Sequence, residues 1–490
     1  MKGIATIEIL IALALGVVML TGATLVSFGG QTAGLDTGLD NHGLFRAGTQ
    51  ISDAVASTTA DWFADPLPWG GDLFYSQGNT VTGISPCINS ITATTTWTSE
   101  KSRGLGILFE TFVGSTEAVD ALGGDCDPFP PGEWDDPASL VSVNINGQSD
   151  ATDIDVNDYM VYLTTNPNAP NKDDFFVYEF DPVAVALIPQ GVLDVDTSED
   201  EGLMAVDVAG SYAFVAAAST TAQFQVIDVS DPFDPERVAL LPLEGVDPAG
   251  FFPEGWSVYY YDDRVYVGTR ETAGPEFHVI DVGNPLSPFE VGNGLELTTS
   301  VYGIFVSGSY AYLATSDNDS ELCIVNISDP TDTDIFEDCE DVAGAANMKY
   351  NSASDQNGGG MYVLGDRVYL GLSRGQFDTA SPHDFYVLNA ADLANITLLD
   401  SADLGINGNT TNEGIIVRGG LAFIALDDPN TGLQIWDISN PVDIELHSTC
   451  TAINFSENTT GIDMDGDYLF TSNGSNAEIR VIYDQPSTCP

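Results

Sequence analysis

Basic residues are scarce in this chain of 490 residues, which holds 13 Lys and Arg against 73 Asp and Glu and carries a formal net charge of −60. Lysine occurs only at positions 2, 101, 172 and 349. Binding of nucleic acid or of an anionic membrane surface requires clustered cations, so we expect neither as a partner. The acid excess has two interpretations: a solubilising surface suited to a saline exterior, or, as the second choice, cation binding.

Motifs for catalysis are also missing. The four histidines, His42, His278, His383 and His447, are scattered along the chain, as are the few arginines. No Gly-x-Ser-x-Gly elbow, phosphate-binding loop or HExxH sequence is present. We therefore predict that the protein is not an enzyme and uses no cofactor.

Cysteines are few, and none of the six sits in a CxxC or CxxH spacing, which makes a zinc site improbable. An even number permits several disulfide pairings, and the order along the chain favours local ones. A hairpin folding about Thr331 would place residues 323 and 339 opposite each other. The expected pairs are Cys87–Cys126, Cys323–Cys339 and Cys450–Cys489. Disulfides persist in oxidising compartments, which agrees with an exported chain.

The N-terminus contains a long apolar run with one carboxylate, Glu8. Ile4 to Phe28 is long enough to span a membrane as a helix. A charge at the centre of such a helix costs about 2–3 kcal/mol, so it needs a cationic partner and a reason to be there. A plain membrane anchor would not explain Glu8. A cleaved signal peptide, with Thr21-Gly22-Ala23 as its cleavage site, is a further alternative, but a carboxylate early in the apolar stretch fits a signal peptide poorly.

This arrangement resembles the N-terminus of type IV pilins and pseudopilins. The resemblance implies that prepilin peptidase cuts after Gly3, that Ile4 becomes the methylated N-terminus, and that Glu8 meets the amine of a neighbouring subunit during filament assembly. It also implies insertion in the cytoplasmic membrane before assembly and a final place on the cell surface, in a pilus with other pilin subunits. Ile4 stands where many members of the family have Phe.

The region after the apolar run is expected to follow the pilin plan of a long helix and a small sheet. Apolar residues at Leu44, Ile51, Val55 and Trp62 recur at heptad-like spacing. Two strand-like runs follow, Ile91–Thr98 and Gly104–Val113. The expected divisions are a leader at 1–3, a helix at 4–65 that is apolar over 4–28, a small β domain at 66–130, and a proline-rich, acidic linker at 131–138.

Residues 139–490 are repetitive. Seven copies begin near Val156, Val208, Tyr261, Val306, Leu364, Arg418 and Met464. Each copy is typical of a strand, a tight turn, a second strand, a variable loop, a third strand, an Asp/Asn-Pro turn and an outer strand. A repeat of four short strands is the sequence signature of propeller blades. We predict a mainly β protein with a seven-bladed β-propeller at 139–490.

The ends of the repeat array predict how the ring closes. The seventh copy stops after its third strand, at Asp484, and a spare strand, Leu140–Ile145, precedes the first copy. That strand is expected to complete the last blade, which removes an exposed sheet edge. The Cys450–Cys489 bond would then tie the C-terminal tail to the sixth blade.

The third strands carry the sequences QVIDVSDP (225–232), HVIDVGNP (278–285) and QIWDISNP (434–441). These units resemble the LVIVD repeat family over roughly residues 150–487. The family is surface-associated, so the resemblance implies the fold and exposure outside the cell, without a chemistry.

Five aspartates are weak candidates for a structural calcium site. Asp463, Asp465 and Asp467 resemble the start of a calcium loop, but the glycine comes fourth and no acid follows at position 12, so a tight turn is favoured. Asp317 and Asp319 lie in a variable loop.

The sequence thus predicts a type IV pilin-like surface filament subunit, major or minor, that displays a propeller for adhesion or for binding a surface, glycan or protein. The alternative is a membrane-anchored propeller that binds ligands without polymerising, and a propeller hydrolase or lyase comes third.

Overall fold

The structure is a computed structural model. It describes the backbone of residues 75–85, 88–98 and 104–114, and describes residues 134–145, 149–167, 172–195, 202–219, 221–243, 254–317, 320–335, 339, 360–372, 383–405, 412–418, 420–426, 428, 430–447, 458–474 and 477–484. The chain divides into two units, Met1–Phe129 and Pro130–Pro490. The predicted leader, the helix over 4–65, Gly3, Ile4 and Glu8 lie outside the described residues.

The first unit contains an antiparallel three-stranded sheet in the order β1-β2-β3. Its strands are β1 (Tyr75–Ser85), β2 (Ile88–Thr98) and β3 (Gly104–Gly114). Strands β2 and β3 were expected from the sequence, although β2 begins three residues before the predicted Ile91. Strand β1 was not expected, because its sequence YSQGNTVTGIS is rich in glycine and polar residues, which have little preference for strands.

The second unit contains seven four-stranded antiparallel sheets, which are the blades of a propeller. Strand β4 (Pro137–Val143) precedes the first repeat. Blade 1 comprises β5 (Ser149–Asn157), β6 (Met160–Pro167), β7 (Phe175–Asp181) and β8 (Ala186–Leu193). Blade 2 comprises β9 (Leu203–Ala209), β10 (Tyr212–Ala217), β11 (Phe224–Asp228) and β12 (Glu236–Leu241). Blade 3 comprises β13 (Gly255–Tyr261), β14 (Arg264–Thr269), β15 (Phe277–Asp281) and β16 (Phe289–Glu290).

Blade 4 comprises β17 (Val301–Ser307), β18 (Tyr310–Thr315), β19 (Leu322–Asn326) and β20 (Asp334–Ile335). Blade 5 comprises β21 (Met361–Leu364), β22 (Arg367–Gly371), β23 (Phe385–Asn389) and β24 (Thr397–Ala402). Blade 6 comprises β25 (Asn412–Arg418), β26 (Leu421–Leu426), β27 (Leu433–Asp437) and β28 (Glu445–Leu446). Blade 7 comprises β29 (Thr459–Asp465), β30 (Tyr468–Asn473) and β31 (Ile479–Asp484), with β4 as its outer strand.

The predicted closure of the ring is confirmed. Strand β4 pairs with β31 in an antiparallel ladder that runs from Val143 opposite Ile479 to Pro137 opposite Asp484. The strand begins earlier than the sequence suggested, inside the segment expected to be a linker. Trp134, in the same segment, is fully buried and lies edge-on to Phe423 of blade 6 at 5.0 Å. Trp134 is therefore part of the propeller core.

Tight turns of two kinds shape each blade. The turn between the first two strands needs a left-handed backbone, which Gly308 (φ 59°) and Gly466 (φ 55°) adopt without strain. The turn after the third strand is an Asx turn: the Asp228 side chain accepts the N–H of Ser230 at 2.9 Å, and Asp437 does the same for Ser439. These interactions explain the Asp-x-Ser-x-Pro spacing of the repeats.

The prolines of the repeats lie where neighbouring blades touch. A Cβ added at Gly191, on the outer strand of blade 1, would be 2.5 Å from the Pro232 carbonyl oxygen and 2.6 Å from Pro235 Cδ. Similarly, Gly292 of blade 3 lies against the turn at Pro330 of blade 4. The proline turns of blades 2 and 4 thus pack on or beside the outer strand of the preceding blade.

The hydrophobic core lies between adjacent blades. Phe214 and Phe224 of blade 2, for example, pack with Val265 and Val267 of blade 3 in one buried cluster. Within the described part of the chain, no helix is long and apolar enough to cross a membrane.

Candidate functional site

The innermost strands of the seven blades follow one another around a closed ring, with β29 next to β5. One position on these strands is equivalent in all blades, because it pairs with a buried aromatic residue of the second strand, such as Tyr162 or Phe470. We call the residues at this position the inner belt: Asp155, Asp207, Tyr259, Phe305, Tyr362, Ile416 and Asp463, in blades 1 to 7.

Blades 7, 1 and 2 contribute carboxylates to the belt, and each one reaches the next blade. The N–H of Val156 donates to Asp463 (2.6 Å), that of Val208 to Asp155 (2.5 Å), and that of Tyr260 to Asp207 (2.6 Å). Two flanking aspartates repeat the arrangement: Asp465 accepts from Tyr159 N–H at 2.5 Å, and Asp153 accepts from Val206 N–H at 3.0 Å. The carboxylates thus bond the backbone donors that the free edge of an innermost strand would otherwise leave unpaired.

Burial is the main influence on these carboxyl groups, and it raises their pKa values because the charged form loses hydration. The pKa of Asp153 rises to about 7. Burial and then the charge of Asp155 hold the pKa values of Asp207 and Asp463 well above the usual range. The pKa of Asp155 is raised by burial as well, although a hydrogen bond with Asp463 opposes the shift.

Blades 3 to 6 close the belt by other means. The rings of Tyr259 and Phe305 lie 5.1 Å apart, and those of Phe305 and Tyr362 also lie 5.1 Å apart. Arg418 of blade 6 donates to the Tyr362 hydroxyl and lies 5.8 Å from the centre of its ring. Burial lowers the pKa of Arg418 to about 10, while the charge of Asp463 acts in the opposite direction. The belt is therefore acidic on one side and aromatic on the other.

A second set of buried polar side chains stands just before the third strands. Asp174 accepts the N–H of Val195 at 2.9 Å, Glu276 that of Leu297 at 2.8 Å, and Glu478 that of Ile145 at 2.9 Å. Gln223 and Asp384 make the same kind of bond to residues after their outer strands. Part of the acid excess of the chain therefore fixes the backbone of the blades.

The histidines considered from the sequence do not come together. His278 is buried in blade 3 with its Nδ1 2.6 Å from Glu290 Oε1 and its Nε2 3.0 Å from the Pro275 carbonyl. His383 contacts Ser401 in blade 5, and His447 lies 3.7 Å from Asp135. His42 lies outside the described residues.

The weak calcium candidates form two separate features. Asp465 and Asp467 flank the turn at Gly466, as the preferred interpretation predicted, and Asp463 belongs to the inner belt. Asp317 follows strand β18, and Asp319 lies outside the described residues. Among the residues that the structure describes, no group of three or more acids, histidines or cysteines is placed to hold a metal ion.

One of the three expected disulfides falls on described residues. The Sγ atoms of Cys323 and Cys339 are 2.03 Å apart, a disulfide distance. The hairpin itself pairs Val325 with Ile335 and Asn326 with Asp334, which centres it one residue before the expected Thr331. Cys87, Cys126, Cys450 and Cys489 lie outside the described residues.

The inner belt was missed in the sequence, although a signal was available. Asp155, Asp207 and Asp463 each stand between two apolar residues of a first strand, and aspartate is depleted in strands. They also occupy the same place in their repeats. An acid at a repeated strand position is better explained by a specific partner than by solvation.

The blades, the closing strand and the belt define a seven-bladed β-propeller closed by an N-terminal strand. The chain contains LVIVD repeats, since the profile of the LVIVD repeat family matches residues 203–238, 300–341 and 409–452. These matches fall in blades 2, 4 and 6, with their flanking connections. No curated protein matches the chain.

Three solved structures are among those to which the chain is similar. BamB from Moraxella catarrhalis is 12% identical (TM-score 0.40; 72% of this chain and 99% of that chain covered). Sqt1 from Chaetomium thermophilum is 11% identical (TM-score 0.41; 70% and 91%). The dihydro-heme d1 dehydrogenase NirN, in complex with DHE, is 9% identical (TM-score 0.40; 86% and 78%). Similarity of this degree carries no argument about function.

Proposed function

We propose that this protein is a cell-surface display protein, in which the propeller binds a ligand and the N-terminal segment carries it in a type IV pilin-like filament. The observation that carries the binding part is the difference between the two faces of the propeller. One face holds the short turns between first and second strands, such as 308–309 and 466–467. The strand ends at the other face are joined by connections of very different length, from residues 144–148 before β5 to residues 336–360 before β21.

Such an arrangement suits binding, because a rigid scaffold positions variable loops. Binding also fits the belt better than catalysis does. Its carboxylates already accept backbone N–H groups, so they are engaged in holding blades together. The Cys323–Cys339 pair and the acidic surface agree with a place outside the cell.

The filament part of the proposal rests on Gly3, Ile4 and Glu8. Mass spectrometry of protein sheared from the cell surface should find an N-terminal peptide that begins at methylated Ile4. Glu8→Gln should abolish incorporation into filaments and leave membrane insertion intact. Asp467→Asn, in an exposed turn of blade 7, is the matched control and should assemble normally. Normal assembly of the Glu8→Gln protein would instead favour the membrane-anchored, non-polymerising alternative.

The binding part is tested separately on a printed glycan array and on immobilised cell-surface protein. Deleting residues 341–358, between β20 and β21, should reduce binding, whereas Asp262→Asn, in the turn between β13 and β14, should leave it unchanged. Equal loss in both variants would contradict the assignment of the variable face.

A further inference from the structure

Blades 1 and 7 meet where the first and last repeats of the chain come together. We call the contact between their innermost strands, β5 and β29, the seam. Here the chain depends on non-covalent contacts, because β29 belongs to the last repeat and β5 to the first. Asp463 and Asp465 accept backbone N–H groups from β5 and its turn. Gly461 lets the strands approach, since a Cβ there would be 2.8 Å from Asp153 Oδ1.

At the centre of the seam, two carboxyl groups are hydrogen-bonded to each other. Asp155 of β5 and Asp463 of β29 form this side-chain bond. Both groups also accept from the backbone: Asp155 from Val208 N–H, and Asp463 from Val156 and Met464 N–H. An ionised carboxylate has no hydrogen to donate, so a bond between two carboxyl groups requires a proton on one of them.

We propose that Asp155 and Asp463 share one proton, and that this proton controls how readily the propeller opens at its seam. When the pair releases the proton to water, two carboxylates are left in contact and repel each other. The proton belongs to the pair and not to either residue alone. Closure of the ring at the seam is thus sensitive to pH.

The surrounding groups favour retention of the proton. The groups that interact with a member of the pair are Asp153 on β5, Asp207 on β9, Tyr162 on β6, Tyr362 on β21 and the cation Arg418 on β25. Asp158, in the first turn, acts on Tyr162, and Asp465 of β29 accepts the N–H of Tyr159. Arg418 is already bonded to the Tyr362 hydroxyl. Burial raises the pKa values of both members of the pair.

The test is hydrogen–deuterium exchange of the full chain between pH 5 and pH 8, corrected for the intrinsic dependence of exchange on pH. Peptides that cover 149–157 and 459–465 report on the seam, and peptides that cover 301–307 and 361–364 report on the aromatic side. A proton held when closed and released when open makes the opening constant rise about tenfold per pH unit within its titration range. We expect this rise at the seam and a flatter response on the aromatic side.

Asp155→Asn is the decisive variant. Its amide oxygen still accepts the Val208 N–H, and its N–H₂ group donates to Asp463 in place of the shared proton. The opening constant at the seam should then rise about tenfold less per pH unit than it does in the unmodified protein. Asp384→Asn is the matched control, because this buried aspartate of blade 5 also accepts a backbone N–H, that of Leu404, but lies outside the inner belt. Its seam slope should remain that of the unmodified protein.

An unchanged slope in Asp155→Asn, or an equal rise in all blades, would overturn the proposal. A second measurement does not depend on that variant. The infrared spectrum of the unmodified chain at neutral pH should contain a protonated carboxyl band that responds to deuteration. Asp463→Asn should remove part of that band, whereas an identical spectrum would show that the pair holds no proton.

Discussion

Trp134 provides the most direct test of how the propeller is held closed. Its indole is fully buried just before β4 and packs edge-on against Phe423 at 5.0 Å. Burying a Trp side chain removes roughly 200 Å² from water, which is about 5 kcal/mol at 25 cal/mol per Å². Because the site relaxes only partly, Trp134→Ala should lower the free energy of unfolding by about 3–5 kcal/mol.

Trp134→Phe separates packing from hydrogen bonding. Among the described residues, the buried Nε1 of Trp134 has no hydrogen-bond acceptor. An unpaired buried donor costs about 1–3 kcal/mol, so Phe loses some contact area and gains by removing that group. We expect Trp134→Phe to lie within about 1 kcal/mol of the unmodified protein, because these two effects oppose each other.

The assay is urea unfolding followed by circular dichroism, combined with hydrogen exchange of residues 137–143. Trp256→Ala is the control. This buried residue of blade 3 lies edge-on to Tyr302 of blade 4 at 5.2 Å, away from the closing strand. Both alanine variants should lose stability, but exchange of β4 should increase selectively with Trp134→Ala. A loss below about 1 kcal/mol for Trp134→Ala would show that the segment before β4 is a linker, as the sequence alone suggested.

Three further predictions concern single sites. Burial raises the pKa of Asp153 from 3.8 to about 7. The stability that this carboxyl group contributes is therefore fully present below about pH 4, falls as the pH rises to about 7, and is constant above that pH. Urea titrations should find at most about 4 kcal/mol of this pH dependence missing from Asp153→Asn. Gly461→Ala should cost more than about 2 kcal/mol in urea unfolding because its Cβ would be 2.8 Å from Asp153 Oδ1 of blade 1. Gly474→Ala, whose Cβ would meet nothing nearer than 3.9 Å, should cost under about 1 kcal/mol, and equal effects would contradict the close approach of blades 7 and 1. Reducing the Cys323–Cys339 bond, with a sequence separation of 16, should lower stability by about 3 kcal/mol, whereas Cys323→Ser should be insensitive to reductant.

The blades were predictable because their signals are local and repeated. A glycine at Gly308 or Gly466 marks a left-handed turn, and the Asp-x-Ser-x-Pro sequence marks an Asx turn, whatever the rest of the chain does. Closure was predictable because the last repeat lacked an outer strand and the first had one to spare. Trp134 was misplaced because the prolines and acids around it are typical of linkers. Its burial depends on Phe423, which is almost three hundred positions away.

The inner belt could not be derived from any one repeat, because each of its links joins two of them. The Asp155 carboxylate is satisfied by Val208 and the Asp207 carboxylate by Tyr260, and in both cases the acceptor and the donor are a full blade apart. In isolation, either aspartate is a poor residue for a central strand position. Around the closed ring, the same residues supply the acceptors that the free strand edges need. The aromatic blades use a different solution, since Tyr259, Phe305 and Tyr362 hold neighbouring blades by ring contacts. A change of pH should therefore act on the side of the ring that contains the seam, while the aromatic side stays closed and keeps the remaining blades in order.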